Sequence, residues 1–167
     1  MIALKKVLVA TDFSEPSDAA LAYGRELARS FAAQLVLLHV VENTLTGAVA
    51  ANGFVFSDPR LQADVEAAGQ RRVEDLVTVE DRVVLRAHAV IVTSNAPADA
   101  IVEYAKDSAI NLIVLGTHGR GVMAHLLLGS VAERVVRIAP YPVLTVRHPE
   151  REFVLPDALV AVSVAGG

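Results

Sequence analysis

Hydrophobic residues along the chain fall into short continuous runs that are separated by segments with a helical spacing. The runs are rich in Val, Leu and Ile and occupy residues 6–10, 35–41, 88–93, 111–115 and 142–146. A strand that is covered on both faces is apolar at nearly every position, as the strands of parallel sheets are. The runs therefore predict five buried strands.

The segments between the runs repeat their apolar residues with a helical period, which predicts helices over 15–32, 59–78, 97–107 and about 130–138. Ser14 is expected to cap the first helix, with Pro16 in its first turn. The residues expected on the buried faces are Ala20, Leu21, Gly24, Leu27, Ala28 and Phe31 in the first helix, Leu61, Val65, Ala68 and Leu76 in the second, and Ile101, Tyr104 and Ala105 in the third.

Strands that alternate with helices predict an α/β fold in which helices cover both faces of a parallel sheet. Two regions lack such a period. Residues 43–57 are expected to form a mobile loop, and residues 149–167 follow the last strand as an apolar extension. We therefore expect a single domain over residues 1–148, and an extension that is not a separate domain.

Composition narrows the kinds of function. The 167 residues are 53% hydrophobic, which is enough for a core, and their formal net charge of −4 argues against a general affinity for nucleic acid. The absence of cysteine excludes disulfides, thiol nucleophiles and thiolate metal sites. The first apolar run breaks at Thr11, and no run approaches the roughly 18 apolar residues of a membrane helix. We expect a cytoplasmic protein that contacts neither nucleic acid nor membrane.

The segment GTHGRGVMAHLLLGS, residues 116–130, lies between a predicted buried strand and a predicted helix. Ser130 and Glu133 match a capping box, with Ser130 as the N-cap. Free amides and the positive end of a helix dipole face such a junction, so it can hold an anion, usually phosphate, and Arg120 adds a cation. The alternative is a simple turn followed by a cap. The segment contains neither a Walker-type P-loop nor the dinucleotide fingerprint.

The glycines of this segment follow the spacing Gly116-x2-Gly119-x9-Gly129-Ser130. The pattern resembles the signature G-x2-G-x9-G-[ST] of the universal stress protein family, in its ATP-binding branch. The segments KKVLVATDFSEPSDAAL, LVLLHVV, INLIVLGTHGRG and LLLGSVAERVVRIAPYPVLTVR are similar to further parts of that family, in order. The resemblance spans about residues 4–148 and is weakest over 43–80.

The resemblance implies a doubly wound, Rossmann-like, five-stranded parallel sheet of strand order 3-2-1-4-5. A crevice then opens between the carboxyl ends of the first and fourth strands. By resemblance, Asp12 contacts the ribose or the metal-bound phosphates of ATP or AMP. Ala10, Thr11 and Val40 would line the adenine and ribose side, and the strand end Leu115 would lead into the phosphate loop. The phosphates would be wrapped by Gly116, Gly119, Gly129, Ser130 and Val131, with Thr117, His118 and Arg120 between them.

Several of these residues have a second interpretation. Asp12 can instead stabilise the start of the first helix, since acids favour first turns. Ser130 can cap its helix and still offer a hydroxyl to phosphate, and His118 is expected to face solvent rather than act as a base. The other histidines show no metal spacing, so we expect no dedicated metal site, although Mg²⁺ can arrive with ATP.

One segment departs from the family pattern. Many relatives place a glycine before the proline that follows the third strand, where this chain has Ser94-Asn95-Ala96-Pro97. That loop lies near adenine in the family, so the extra side chains bear on base specificity more than on phosphate binding.

Three functions are compatible with the sequence. The first is a stress-response or regulatory protein that binds an adenine nucleotide, and the second is a slow ATPase on the same fold. The third is a nucleotide-free interaction protein. The sequence offers no clear general base and no Walker-type lysine, so we expect binding without a catalytic residue. The strand Pro142 to Val146 is expected at a sheet edge, where it would form a homodimer, and the C-terminal extension is expected to pack on its own or a partner subunit.

Overall fold

The computed structural model describes residues 3–46, 59–117 and 129–147 of the chain. Its elements in chain order are β1 Lys6–Ala10, α1 Glu15–Ser30, β2 Gln34–Val41, a 3₁₀ turn Thr44–Thr46, α2 Pro59–Leu76, α3 Val79–Val84, β3 His88–Thr93, α4 Pro97–Asp107, β4 Leu112–Gly116, α5 Ser130–Ile138 and β5 Val143–Val146. All five predicted strands are confirmed to within a residue at either end. The 3₁₀ turn and α3 were not predicted. Most of the expected loop over 43–57 and the extension after residue 147 lie outside the described residues.

The sheet is five-stranded and parallel, with the order β3-β2-β1-β4-β5, which confirms the predicted topology. Leu8 in the middle of β1 pairs with Val36 on β2 and with Ile113 on β4. Helices cover both faces: α1 and α2 pack on one hydrophobic core, and α4 and α5 on the other. The strand order reverses between β1 and β4, so their carboxyl ends, Ala10 and Gly116, border a crevice.

The middle of β1 is apolar because successive side chains enter different cores. Val7 and Val9 of β1 belong to the core under α1, Leu8 belongs to the core under α4, and all three are fully buried. The edge strand β3 is half-buried along its whole length. The two-sided burial of β1 explains why its sequence predicts a strand without any polar alternation.

The predicted buried face of α1 is largely confirmed. Ala20, Leu21, Gly24 and Ala28 are buried. Phe31 was wrongly assigned to this face: the helix ends at Ser30, and Phe31 is 45% exposed beyond it.

The predicted face of α2 is confirmed only in part: Leu76 packs against the core under α1, and Val65 is half-buried. Leu61 is 52% exposed and Ala68 is exposed, whereas Gln62, Gly69 and Val73 are buried. Gln62 can be buried because its amide oxygen accepts hydrogen bonds from the amide and the hydroxyl of Thr44, each at 2.7 Å. The spacing of hydrophobic residues does not reveal this buried face, because it includes a glycine and a glutamine whose side-chain amide is hydrogen-bonded.

A buried ion pair ties α3 to α1. The Arg25 guanidinium donates from Nε and Nη2 to the Asp81 carboxylate at 2.8–3.1 Å, and Nη2 also donates to the Leu76 carbonyl at 2.7 Å. Asp81 is 3% exposed and also accepts a hydrogen bond from the Thr78 amide. Burial opposes the ionisation of Asp81, but the hydrogen bonds from Arg25 and Thr78 outweigh it and lower the pKa of Asp81 below its ordinary value.

Gly24 is predicted to be required by the packing of α1 against β1. A Cβ at Gly24 would lie 2.3 Å from Cγ2 of Val9, a side chain that is 0% exposed. Gly24→Ala should therefore lower the free energy of unfolding by about 1–2 kcal/mol, although alanine favours helix by about 1 kcal/mol. In a Val9→Ala background, which lacks the clashing methyl, the same change should be neutral or stabilising. Urea unfolding of the four proteins measures this coupling, and an equal loss in both backgrounds would contradict it.

Asp81 is predicted to stabilise the fold only while it is ionised. Asp81→Asn should lower the free energy of unfolding by about 1–3 kcal/mol at pH 7, because Arg25 keeps only part of its pairing. Since the folded pKa is depressed, the contribution is complete above the unfolded pKa of about 4 and is lost as the pH falls below it. The difference from wild type should therefore shrink in urea titrations at pH 3. Asp99→Asn, which breaks an exposed pair with Arg134, is the control and should change stability little.

Candidate functional site

A cavity of about 370 Å³ opens at the carboxyl ends of β1, β2 and β4. It brings together most of the residues that the sequence singled out, which come from three strand ends and the start of α5. These are Ala10, Thr11, Asp12, Val40, Leu115, Gly116, Thr117, Gly129, Ser130 and Val131. His118, Gly119 and Arg120 lie outside the described residues, so their predicted places stay predictions.

Six further residues line the cavity that the sequence analysis did not assign to the site. They are Ser17, Leu38, His39, Pro97, Ile101 and Ala132. Leu38, Ile101 and Ala132 resemble ordinary core positions, so residue type carries no signal for them. Pro97 begins α4 directly after the loop that follows β3, the loop that the resemblance places near adenine.

The turn between β1 and α1 is held by a closed set of hydrogen bonds. The Ser17 hydroxyl donates to the Ser14 carbonyl at 2.8 Å and accepts from the Ser14 amide at 3.0 Å. Because that hydroxyl proton is used, the contact of 3.0 Å between Thr11 and Ser17 is a donation from Thr11 Oγ1 to Ser17 Oγ. Thr11 Oγ1 in turn accepts from the Phe13 amide at 3.0 Å. Ser14 is the N-cap of α1, as predicted.

Asp12 contacts the N-cap of α1, as expected if its carboxylate stabilises the start of that helix. Its Oδ1 accepts hydrogen bonds from the Ser14 hydroxyl at 2.5 Å and from the Ser14 amide at 3.2 Å. The carboxylate is half-buried and also lines the cavity, so stabilising the turn and facing a ligand are compatible roles.

The start of α5 differs from the predicted capping box. Gly129, not Ser130, is the N-cap, and the Glu133 amide donates to the Gly129 carbonyl at 2.8 Å. The predicted box is therefore wrong by one residue, and the Glu133 side chain instead accepts from Arg137. The helix begins here because Gly129 is extended and its amide donates to the Thr117 carbonyl at 2.5 Å.

This geometry changes which amides can serve an anion. The Gly129 amide donates to the Thr117 carbonyl, so it is not the free donor that the sequence analysis expected. The amides of the first helical turn have no carbonyl within the helix to donate to. In α5 they belong to Ser130, Val131 and Ala132, all of which line the cavity.

Gly116 has a packing reason to be glycine. A Cβ there would lie 2.7 Å from the carbonyl carbon and 2.8 Å from the carbonyl oxygen of Pro16 in α1. Backbone atoms cannot move aside as a flexible side chain can, so any larger residue would displace the start of α1. The expectation that Gly116 admits phosphate stays a prediction.

The described residues that line the cavity include few ionisable side chains. Asp12 is the one carboxylate among its described lining residues. Within residues 3–46, 59–117 and 129–147, no group of three or more His, Cys, Asp or Glu side chains is placed to hold a metal ion. Over the same ranges, no helix has the length and apolar character needed to cross a membrane.

Comparison with known proteins gives a consistent family. A model described as the universal stress protein family matches residues 3–147. Universal stress protein MJ0531 of Methanocaldococcus jannaschii is 31% identical over 148 residues, which cover 89% of this chain and 85% of that protein.

Solved structures agree with the family match. The structure of MJ0577, a universal stress protein of the same organism, has a TM-score of 0.69 at 26% identity, with 90% of this chain and 100% of that chain covered. A universal stress protein in complex with cAMP has a TM-score of 0.58 at 25% identity, with 87% of this chain and 98% of that chain covered. The chain therefore belongs to the universal stress protein family.

Proposed function

We propose that the protein binds an adenine nucleotide, ATP or AMP, in the cavity between β1 and β4 and acts as a stress-response or regulatory binding module. The observation that carries this proposal is the pairing of an apolar wall with the first-turn amides of α5 in one cavity. A volume of about 370 Å³ falls within the range of small-ligand sites. The resemblance to the ATP-binding branch and its glycine spacing supports the same assignment.

The phosphate end of the proposed site is the start of α5. Ser130, Val131 and Ala132 line the cavity, their amides have no acceptor within the helix, and the positive end of the helix dipole favours an anion there. Ser130 is the first helical residue of α5 and is exposed. Because Gly129 is the N-cap, the Ser130 hydroxyl does not cap the helix and can donate to a phosphate. Arg120, by resemblance, would add a positive charge.

The base and ribose end is the apolar side of the cavity. Leu38 and Val40 of β2, with Pro97 and Ile101 of α4, give an apolar wall suited to a purine ring. Asp12 would accept a hydrogen bond from the ribose or contact phosphate-bound Mg²⁺, which needs only one or two carboxylates when phosphates supply other ligands. A related universal stress protein at 25% identity has been solved in complex with cAMP, an adenine nucleotide.

The proposed role is binding rather than turnover. Phosphoryl transfer needs a positioned water or base and stabilisation of the charge on the transferred group. Asp12 Oδ1 already accepts two hydrogen bonds from Ser14, which favours a positioning role over a base. We therefore expect at most slow hydrolysis of ATP.

Ser130→Ala is predicted to weaken nucleotide binding without harming the fold. Losing one hydrogen bond to a charged phosphate should raise the Kd for AMP about tenfold. Calorimetric titration with AMP and with ATP measures this, and mass spectrometry of the denatured protein identifies any nucleotide retained during purification. Ser30→Ala is the matched control, since Ser30 is exposed at the end of α1, outside the cavity. A wild-type protein that binds neither nucleotide would reject the proposal. Asp12 variants are less informative because they also lose the contacts with Ser14.

We further propose a homodimer through the edge of β5. The ladder places the amides of Leu144 and Val146 toward β4, since Ile113 donates to Pro142 and Thr117 donates to Val146. The amides of Val143 and Thr145 therefore point away from β4, and among the described strands none pairs with this edge, where a second copy would bind. Val136 is an exposed apolar residue of α5, the helix that contacts β5.

Thr145→Pro is predicted to dissociate this dimer. Proline removes an outward amide without breaking a hydrogen bond to β4, and proline is tolerated in edge strands. Light scattering after size exclusion should show a dimer for the wild type and a monomer for the variant. Thr145→Ala keeps the amide and should stay dimeric. A monomeric wild type, or a dimeric proline variant, would count against the edge assignment.

A further inference from the structure

Phe13 follows Asp12 in the turn and has an uncommon backbone conformation. Its φ is 64°, in the left-handed region that bulky residues rarely adopt. Such a conformation persists where surrounding contacts hold it, and it is found preferentially at functional sites. The contacts that hold Phe13 therefore also hold the residue before it, Asp12.

The Phe13 side chain contacts two groups from other elements. Its ring centroid lies 4.4 Å from that of His39 on β2, with the planes inclined by 49°. Cζ of Arg72 on α2 lies 3.9 Å from the centroid of the same ring, which is a cation–π contact. The ring is thus connected to β2 and to α2 at once.

The backbone on the other side of Asp12 is also tied to β2. His39 Nδ1 lies 2.8 Å from the Thr11 carbonyl oxygen, and since a carbonyl only accepts, Nδ1 carries the proton and donates. One histidine therefore contacts the residue before Asp12 through its proton and the residue after it through its ring. Asp12 is placed between two anchored neighbours.

The position of Arg72 depends on how closely α2 packs on β2. A Cβ at Gly69, three residues before Arg72, would lie 2.9 Å from Cγ2 of Val41 and 3.4 Å from Cδ2 of His39. The helix thus approaches β2 at the strand residue that anchors Thr11. Arg72 itself lines a separate groove with Phe13 and is not among the described lining residues of the nucleotide cavity.

We infer that Arg72 and Phe13 are positioning residues for the nucleotide site: Arg72 holds the Phe13 ring against His39 and so places the Asp12 carboxylate at the cavity. This inference rests on the proposed nucleotide function and adds α2 to the elements that govern affinity. A cation–π contact made by an exposed arginine is modest, so its loss should change affinity by a small but measurable factor.

Arg72→Gln tests the inference, with Arg71→Gln as the matched control. Both changes remove one positive charge from an exposed position on α2, so long-range electrostatic effects are alike. Arg72→Gln should raise the Kd for AMP about three- to fivefold, and Arg71→Gln should leave it within about 1.5-fold. Equal effects of the two changes would overturn the inference.

A second variant separates positioning from simple loss of stability. Phe13→Gly removes the ring, so Arg72→Gln should have no further effect on the Kd for AMP in that background. If Arg72→Gln raised the Kd for AMP by the same factor with and without the Phe13 ring, the proposed route through the ring would be contradicted.

Ligand-free NMR keeps the test independent of nucleotide binding. Arg72→Gln should shift the Asp12 carboxyl carbon and the Ser14 amide resonances in the absence of nucleotide, and Arg71→Gln should not. If the wild type binds neither AMP nor ATP, the proposed function fails, and these resonances alone decide whether Arg72 positions Asp12. Resonances that stay unchanged in Arg72→Gln would overturn the positioning role.

Discussion

The close packing of α1 on the two central strands is the constraint on which the site depends. At Gly24 the helix lies so near β1 that a methyl group would overlap the Val9 side chain, and at Gly116 the end of β4 touches the backbone of Pro16. Both approaches require glycine, one on the helix and one on the sheet. Together they set the position of the α1 start, and therefore of the turn that carries Asp12, beside the end of β4.

The strands follow from the sequence because their environment is uniform, whereas their order was implied by the family resemblance. Leu8 and Val9 enter opposite cores, so an unbroken apolar run has no competing interpretation as a half-exposed strand. The parallel topology then needs helical connections, and the helix boundaries at Glu15, Pro59 and Pro97 follow from caps and prolines. The cavity could be located once the resemblance supplied the strand order, since the carboxyl ends of β1 and β4 meet at the strand-order reversal.

The parts that sequence did not predict depend on polar atoms that find partners far along the chain. Gln62 is buried because Thr44 satisfies its amide, and Asp81 is buried because Arg25 pairs with it from α1. Neither partner can be identified from local periodicity. The shift of the α5 cap from Ser130 to Gly129 has a similar origin, since the Thr117 carbonyl takes the Gly129 amide and fixes where the helix begins. Three of the six missed lining residues, Leu38, Ile101 and Ala132, have core-like side chains that carry no chemical signal.

The turn that carries Asp12 and the apolar lining of the cavity pack on different hydrophobic cores. Phe13 packs against the core under α1 and α2, whereas Val40 and Val131 pack against the core under α4 and α5. The sheet separates these cores, so the distance from Asp12 to the amides of α5 depends on both helical layers. A ligand that contacts Asp12 and Ser130 together would connect the layers and favour one arrangement of them. A nucleotide bound as proposed would therefore act on the arrangement of the two layers without any chemical step, as the proposed binding role requires.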